Sequence, residues 1–136
     1  MFGYGLPLTA AEDGIRSRRF VSLVAAGADF RVHEADAGEQ VVGITRENSR
    51  RWNDVSHADT GEPVAVYTHS QTCRLVAGAA VTVGERLKSD AEGRGIPLVG
   101  GAGTTEEYGA VALEAASAAN EVIQVRVEIG ILVTET

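Results

Sequence analysis

Turn-forming residues break this chain about every 8–12 residues, a rhythm that leaves room for short extended segments and little else. Between the breaks the apolar positions are mostly Val and Ala, and 16 glycines are spread over the 136 residues. Val favours a half-buried pleated surface, and Gly supplies the turns between such surfaces. One-faced alternation is clearest in Phe30-Arg31-Val32-His33, where apolar and polar residues take turns. Further strands are predicted over residues 19–24, 40–45, 64–67, 73–76, 81–87, 108–113 and 122–129. A short piece over 96–99 is expected at a sheet edge, because Pro97 has no N–H to donate to a ladder. Hairpin-sized connections imply antiparallel pairing, and no βαβ pattern occurs. The expected fold is all-β, a small antiparallel barrel or sandwich.

Charge and composition narrow the partners. The apolar share of 44% is enough for one globular core in a chain of this length. The formal net charge of −7 lacks the clustered Lys and Arg of a phosphate-binding surface, so no nucleic acid is expected. No apolar run approaches the roughly 20 residues that cross a bilayer as a helix, and no membrane partner is expected. The N-terminus has neither the charged nor the apolar region of a signal peptide. Cys73 is the single cysteine, which excludes an internal disulfide or a Cys-based metal site and fits a reducing cytosol.

The residues that could carry chemistry lack companions. His33, His57 and His69 have no Gly-x-Ser-x-Gly elbow beside them and no tight ligand spacing, so neither a hydrolase triad nor a zinc site is expected. Gly100-Gly101-Ala102-Gly103 has the composition of a phosphate cradle but no following Lys and no strand–loop–helix setting. Cys73 reads as a small buried filler. Lys88, the only lysine, lies away from the hairpin tip where a biotinyl or lipoyl carrier presents its modified side chain. No catalytic residue, metal or cofactor is expected.

The second half of the chain carries a family pattern. Val76-Ala77-Gly78 and Gly84-Glu85 bracket one strand, and Ser89-Asp90-Ala91-Glu92-Gly93 follows it. Then Tyr108-Gly109-Ala110-Val111-Ala112-Leu113-Glu114-Ala115-Ala116 leads through a small-residue turn into Val122-Ile123-Gln124-Val125. A stretch in the same style, Ala35-Asp36-Ala37-Gly38-Glu39-Gln40-Val41-Val42-Gly43-Ile44, lies near the front. Over about residues 18–129 the chain resembles the phage head-decoration, or capsid cement, proteins. The resemblance implies a barrel or tulip-like β domain that binds the outside of an assembled head and stabilises it, without enzymatic activity. It implies the major capsid protein and further copies of the chain, as a homotrimer, for partners. It also implies a place on the outer capsid surface of the virion after synthesis in the host cytoplasm. The alternative is a small β adaptor or carbohydrate-binding module of a phage or bacterial assembly. Sugar platforms for it are few, namely Trp52, Tyr4, Tyr67 and Tyr108.

Three stretches fall outside the pattern and supply the expected contacts. Residues 1–17 read as an extended N-terminal arm, with Gly3, Gly5 and Pro7 against a helix and Phe2, Tyr4, Leu6 and Leu8 at alternate positions. Such a segment suits a groove or sheet edge of the capsid or a neighbouring subunit, the other option being its own barrel. On the docking reading, residues 1–14 are removable with little loss of thermal stability. Arg16 and Arg18 make a basic run with Arg19, and Arg50 and Arg51 flank Trp52 in a polar insert over 46–60. These are expected partner contacts, against solvated charge for the arginines and a barrel-end plug for Trp52. The insert has room for a helical turn or two. The division expected is an arm (1–17), a decoration domain (18–129) and a C-terminal tail (130–136). Val111, in the clearest family strand, is read as core. Finally, residues 43–47 and 61–66 echo residues 110–114 and 120–125, which is either pseudo-symmetry or the common grammar of hairpins.

Overall fold

The computed structural model describes residues 8–24, 30–46, 56–100 and 103–133, with the backbone alone at 56 and 57. Among the described residues every regular element is a strand. One five-stranded sheet has the order β1 (Thr9–Ala10), β4 (Arg31–Glu34), β3 (Phe20–Leu23), β5 (Gly43–Thr45), β7 (Val66–Tyr67). A second has the order β10 (Gly95–Pro97), β9 (Arg86–Ser89), β11 (Thr105–Ala112), β12 (Val122–Val133), β8 (Thr72–Val76). Two further short strands, β2 (Ile15–Arg16) and β6 (Ser56–Ala58), pair with each other. Isolated bridges curl both large sheets shut, Thr9 to Pro63 in the first and Ala77 to Gly95 in the second. Each bridge brings the two outer strands of its sheet together at one point, which shortens the free edges that would otherwise invite aggregation.

The echo in the sequence is a structural repeat, because the two closed sheets share one hydrogen-bond plan. Ala10 N donates to Glu62 O and Gly61 N to Ala10 O, both at 2.9 Å; at the matching places Ala77 N donates to Glu121 O (2.8 Å) and Asn120 N to Ala77 O (2.7 Å). Arg18 N to Thr45 O, Thr45 N to Arg19 O and Arg46 N to Ala65 O are matched by Gly84 N to Ala112 O, Ala112 N to Glu85 O and Leu113 N to Gln124 O. The parallel pair Ala10–Val32 is matched by the parallel bridge Ala77–Gly95, and Ile15–Ala58 by Val81–Ala116. Even the left-handed turns coincide: φ is 60° at Arg18 and 91° at Gly84, 83° at Gly61 and 73° at Asn120. Gly takes that conformation freely, whereas for Arg18 it costs about 1–2 kcal/mol, held by the turn's own bonds.

The cores repeat as well. The first half buries Leu8, Ala10, Ile15, Val21, Val32, Ala58 and Val64. The matching positions in the second are Leu75, Ala77, Val81, Leu87, Gly95, Ala116 and Ile123. Where Val32 stands in one half the other has Gly95, because Leu75 Cδ2 would lie 2.5 Å from a Cβ there. The second core is larger because Phe20, Ala35, Val41 and Ile44, from the outer face of the first half, pack into it. Backbone bonds run across the joint: Phe20 N to Gly93 O at 2.7 Å, Val76 N to Arg18 O and Gly38 N to Ser89 O at 3.0 Å. Gly109 permits the approach, since a Cβ there would meet Val41 Cγ2 at 2.4 Å and Phe20 Cε1 at 2.7 Å.

Several expectations change. Residues 8–17, assigned to the arm, are woven into the first half: Leu8, Ala10 and Ile15 are buried, and β1 and β2 hydrogen-bond within the body. Two-residue strands are too short to show alternation in a sequence. The segment 81–87 is not one strand, because the turn at Gly84 leaves Val81 a single bridge and starts β9 at Arg86. The described end of the polar insert is strand β6 and not a helical turn; residues 47–55 lie outside the described residues. β12 runs to Val133, past the expected start of the tail at 130. Val111 is half-exposed, while the small Ala110 and Ala112 on either side of it point into the core.

Candidate docking surface

Of the expected contact residues, Phe2, Tyr4, Leu6, Arg50, Arg51 and Trp52 lie outside the described residues. The other three sit in the body. Leu8 faces the protein's own first core. Arg16 grips Glu34 with two parallel bonds, Nε to Oε2 at 3.0 Å and a terminal nitrogen to Oε1 at 2.8 Å, while its own backbone N–H donates to the same carboxylate at 2.7 Å. Hydrogen bonding to Glu34 raises the guanidinium pKa above its ordinary value, against the opposing effect of burial. Arg18 is half-buried at the joint between the halves, where its carbonyl accepts Val76 N. Arg16 and Arg18 therefore brace the body near that joint.

The exposed large apolar side chains lie elsewhere, on both halves. Leu23 and Phe30 stand out on the first half, Phe30 at 47% exposure. On the second half Val83, Val99, Leu113, Val122, Ile131 and Val133 stand out, Val99 at 83%. The second half also has a shallow depression of about 250 Å³ lined by Gly84, Glu85, Arg86, Leu98 and Leu132, the last on the opposite face of β12 from Ile131 and Val133. The Arg86 guanidinium sits 5.1 Å from the centre of the Tyr108 ring on the same face. Glu106 staples this face: it accepts Lys88 Nζ at 2.7 Å, Gly100 N at 2.8 Å and Val99 N at 3.1 Å. Those bonds, the one from Lys88 first, hold the Glu106 carboxyl below its ordinary pKa. The β11–β12 pair continues past an irregularity between Tyr108 and Ala110, and the ladder there joins Glu107 to Ile131 and Thr105 to Val133.

His33 and His69 take structural places, and the His57 side chain lies outside the described residues. His69 Nδ1 accepts the N–H of Ile129 at 3.2 Å, which closes the end of the β8–β12 pairing. His33, Asp36 and Glu39 bring ligand atoms within 4.8 Å of one another, the spacing a metal ion would need. Bonds within the turn account for that grouping, since Glu39 accepts Asp36 N at 2.9 Å and reaches His33 Nε2 at 3.3 Å.

Comparison with known proteins agrees with this geometry. The fold is similar to the N base of the head fiber gp8.5 of bacteriophage phi29, with a TM-score of 0.57, 13% identity, and coverage of 89% of this chain and 90% of that one. No curated protein matches the chain. A family model described as phage cement protein matches residues 3–128, both repeats included. The chain belongs to the phage cement proteins.

Proposed function

We propose that the protein docks on the outer surface of an assembled phage head, with the major capsid protein as its partner and a homotrimer as the unit that binds. The observation that carries this reading is the family match across both halves of the chain. A shell under internal pressure gains from added contact area between its subunits and needs no chemistry from the protein that supplies it. A rigid body of two closed sheets with apolar side chains on its outer faces has that character. Phe2, Tyr4 and Leu6, together with Arg50, Arg51 and Trp52, are proposed as capsid or neighbour contacts, on the strength of their chemistry in the sequence. The protein acts as a structural component without catalytic turnover, and it is made in the host cytoplasm before it joins the virion.

Co-sedimentation of the purified protein with undecorated heads tests the proposal. Saturable binding that raises the temperature at which the heads rupture is the expected result. Failure to co-sediment, together with a clear glycan-array signal, would replace this reading with the carbohydrate-binding alternative.

A further inference from the structure

The joint between the two halves uses one face of each, and the repeat leaves the counterpart of each face unused. In the joint the first half contributes Phe20, Ala35, Val41 and Ile44, all buried against the second. The matching positions on the second half are Arg86, Leu98, Tyr108 and Val111, all exposed or half-exposed, and Arg86 and Leu98 line the depression. The second half contributes Ser89 and Gly93 to the joint, both buried. Their counterparts on the first half are Leu23 and Phe30, the two large apolar residues that stand exposed there among the described residues. Repeat proteins need polar outer faces on their terminal units to stay separate. This chain instead carries Leu23 and Phe30 at one end and a mixed face of Arg86, Leu98, Tyr108 and Val111 at the other.

We infer that copies of this chain join head to tail into a closed ring, the Leu23 and Phe30 face of one copy seating on the Arg86, Leu98 and Leu132 depression of the next. The contact continues the established joint between the halves, so the same two kinds of surface meet within and between chains. Within the chain the Phe20 backbone lies on Gly93, where a Cβ would stand 2.9 Å from the Phe20 carbonyl oxygen, while the Phe20 ring lies against Gly109. Between chains Phe30 lies over the flexible Arg86, a pairing in which the guanidinium meets an aromatic face. The edge itself stays closed, because Thr9 N already donates to Phe30 O at 2.9 Å. At the matching place Val76 N and Gly93 O are opened to receive Arg18 and Phe20. The inter-copy contact is therefore made by side chains. A contact of unlike faces closes into a ring or runs on as a filament, according to its rotation.

This inference gives the trimer of the preceding section its contact faces, and its failure is separable from that reading, because it is tested in solution without heads. The full chain is measured by native mass spectrometry beside Phe30→Asp and, separately, Arg86→Glu, with Leu23→Asp and Leu98→Asp as second variants of each face. The wild type should show one oligomer of defined size, and each variant a folded single chain. An equimolar mixture of a first-face and a second-face variant should form a dimer, since one intact pair of unlike faces remains. A monomeric wild type, an open-ended ladder of masses, variants that stay oligomeric, or a mixture that stays monomeric would each overturn the inference.

Discussion

The two halves of this protein share a hydrogen-bond plan and differ in what covers their outer faces. Where the first half has Phe20 and Ile44, the second has Arg86 and Val111, and the first pair is buried while the second is not. The backbone is the same in both because a few requirements repeat: small residues at Ala10 and Ala77, a left-handed turn before the third strand, and a Glu after the turn into the last. Glu62 accepts Asp59 N at 2.7 Å and Glu121 accepts Ser117 N at 3.2 Å, the same closure built from different neighbours. The plan is thus set by turns and inward positions, and the outer faces are free to differ in use. One became an internal joint.

The comparison can be broken most severely at the first strand. Removing residues 1–10 takes Leu8 and Ala10 from the first core together with the bonds to Phe30, Glu62 and Pro63's neighbours in that ring. Loss of a buried Leu alone costs about 2–5 kcal/mol. Thermal denaturation should show a fall of more than about 10 °C or loss of folding, a reversal of the expectation that this stretch is dispensable. A truncated chain that melts with the wild type would show that β1 contributes nothing to the first half.

Next comes the matched pair on the two faces. Phe20→Ala should cost about 3–5 kcal/mol in chemical denaturation, because its ring joins both halves. Arg86→Ala, at the same place in the repeat, should change the stability of a single chain by about 0.5 kcal/mol or less. Equal losses would mean that the two faces are not used differently. Gly109→Val sharpens the same point, since its side chain would enter the space of Val41 and Phe20. A loss of about 1–3 kcal/mol is expected there, measured by the same unfolding curves.

The smallest effect concerns the staple on the open face. The Glu106 carboxyl is held below its ordinary value of 4.5, so its contribution is complete above that value and fades as pH falls through the lower folded value. Glu106→Gln should lower the melting temperature at neutral pH by no more than a few degrees, with the gap to wild type closing as the solution is acidified. A gap that widens in acid would reverse the assigned sign.

Much of the fold was legible because alternation and turn residues coincide. The edge strand at Pro97 and the hairpin strands before and after Asn120 follow from the chain alone. Val111 reads as core from its place in the family strand, whereas closely approaching strands put Ala110 and Ala112 inside. The open face was hidden for a different reason. Arg86, Leu98 and Leu132 come from three separate strands or loops, and no local pattern joins them. The echo held the clue, since aligning the halves places Arg86 opposite Phe20 and Phe30 opposite Gly93.

Electron cryomicroscopy of undecorated heads, before and after addition of the purified protein, tests the central claim most directly. The account predicts new density on the outer surface only, each copy showing two lobes of similar size that fit the paired closed sheets. Heads that look the same with and without the protein, or density confined to the interior, would contradict it.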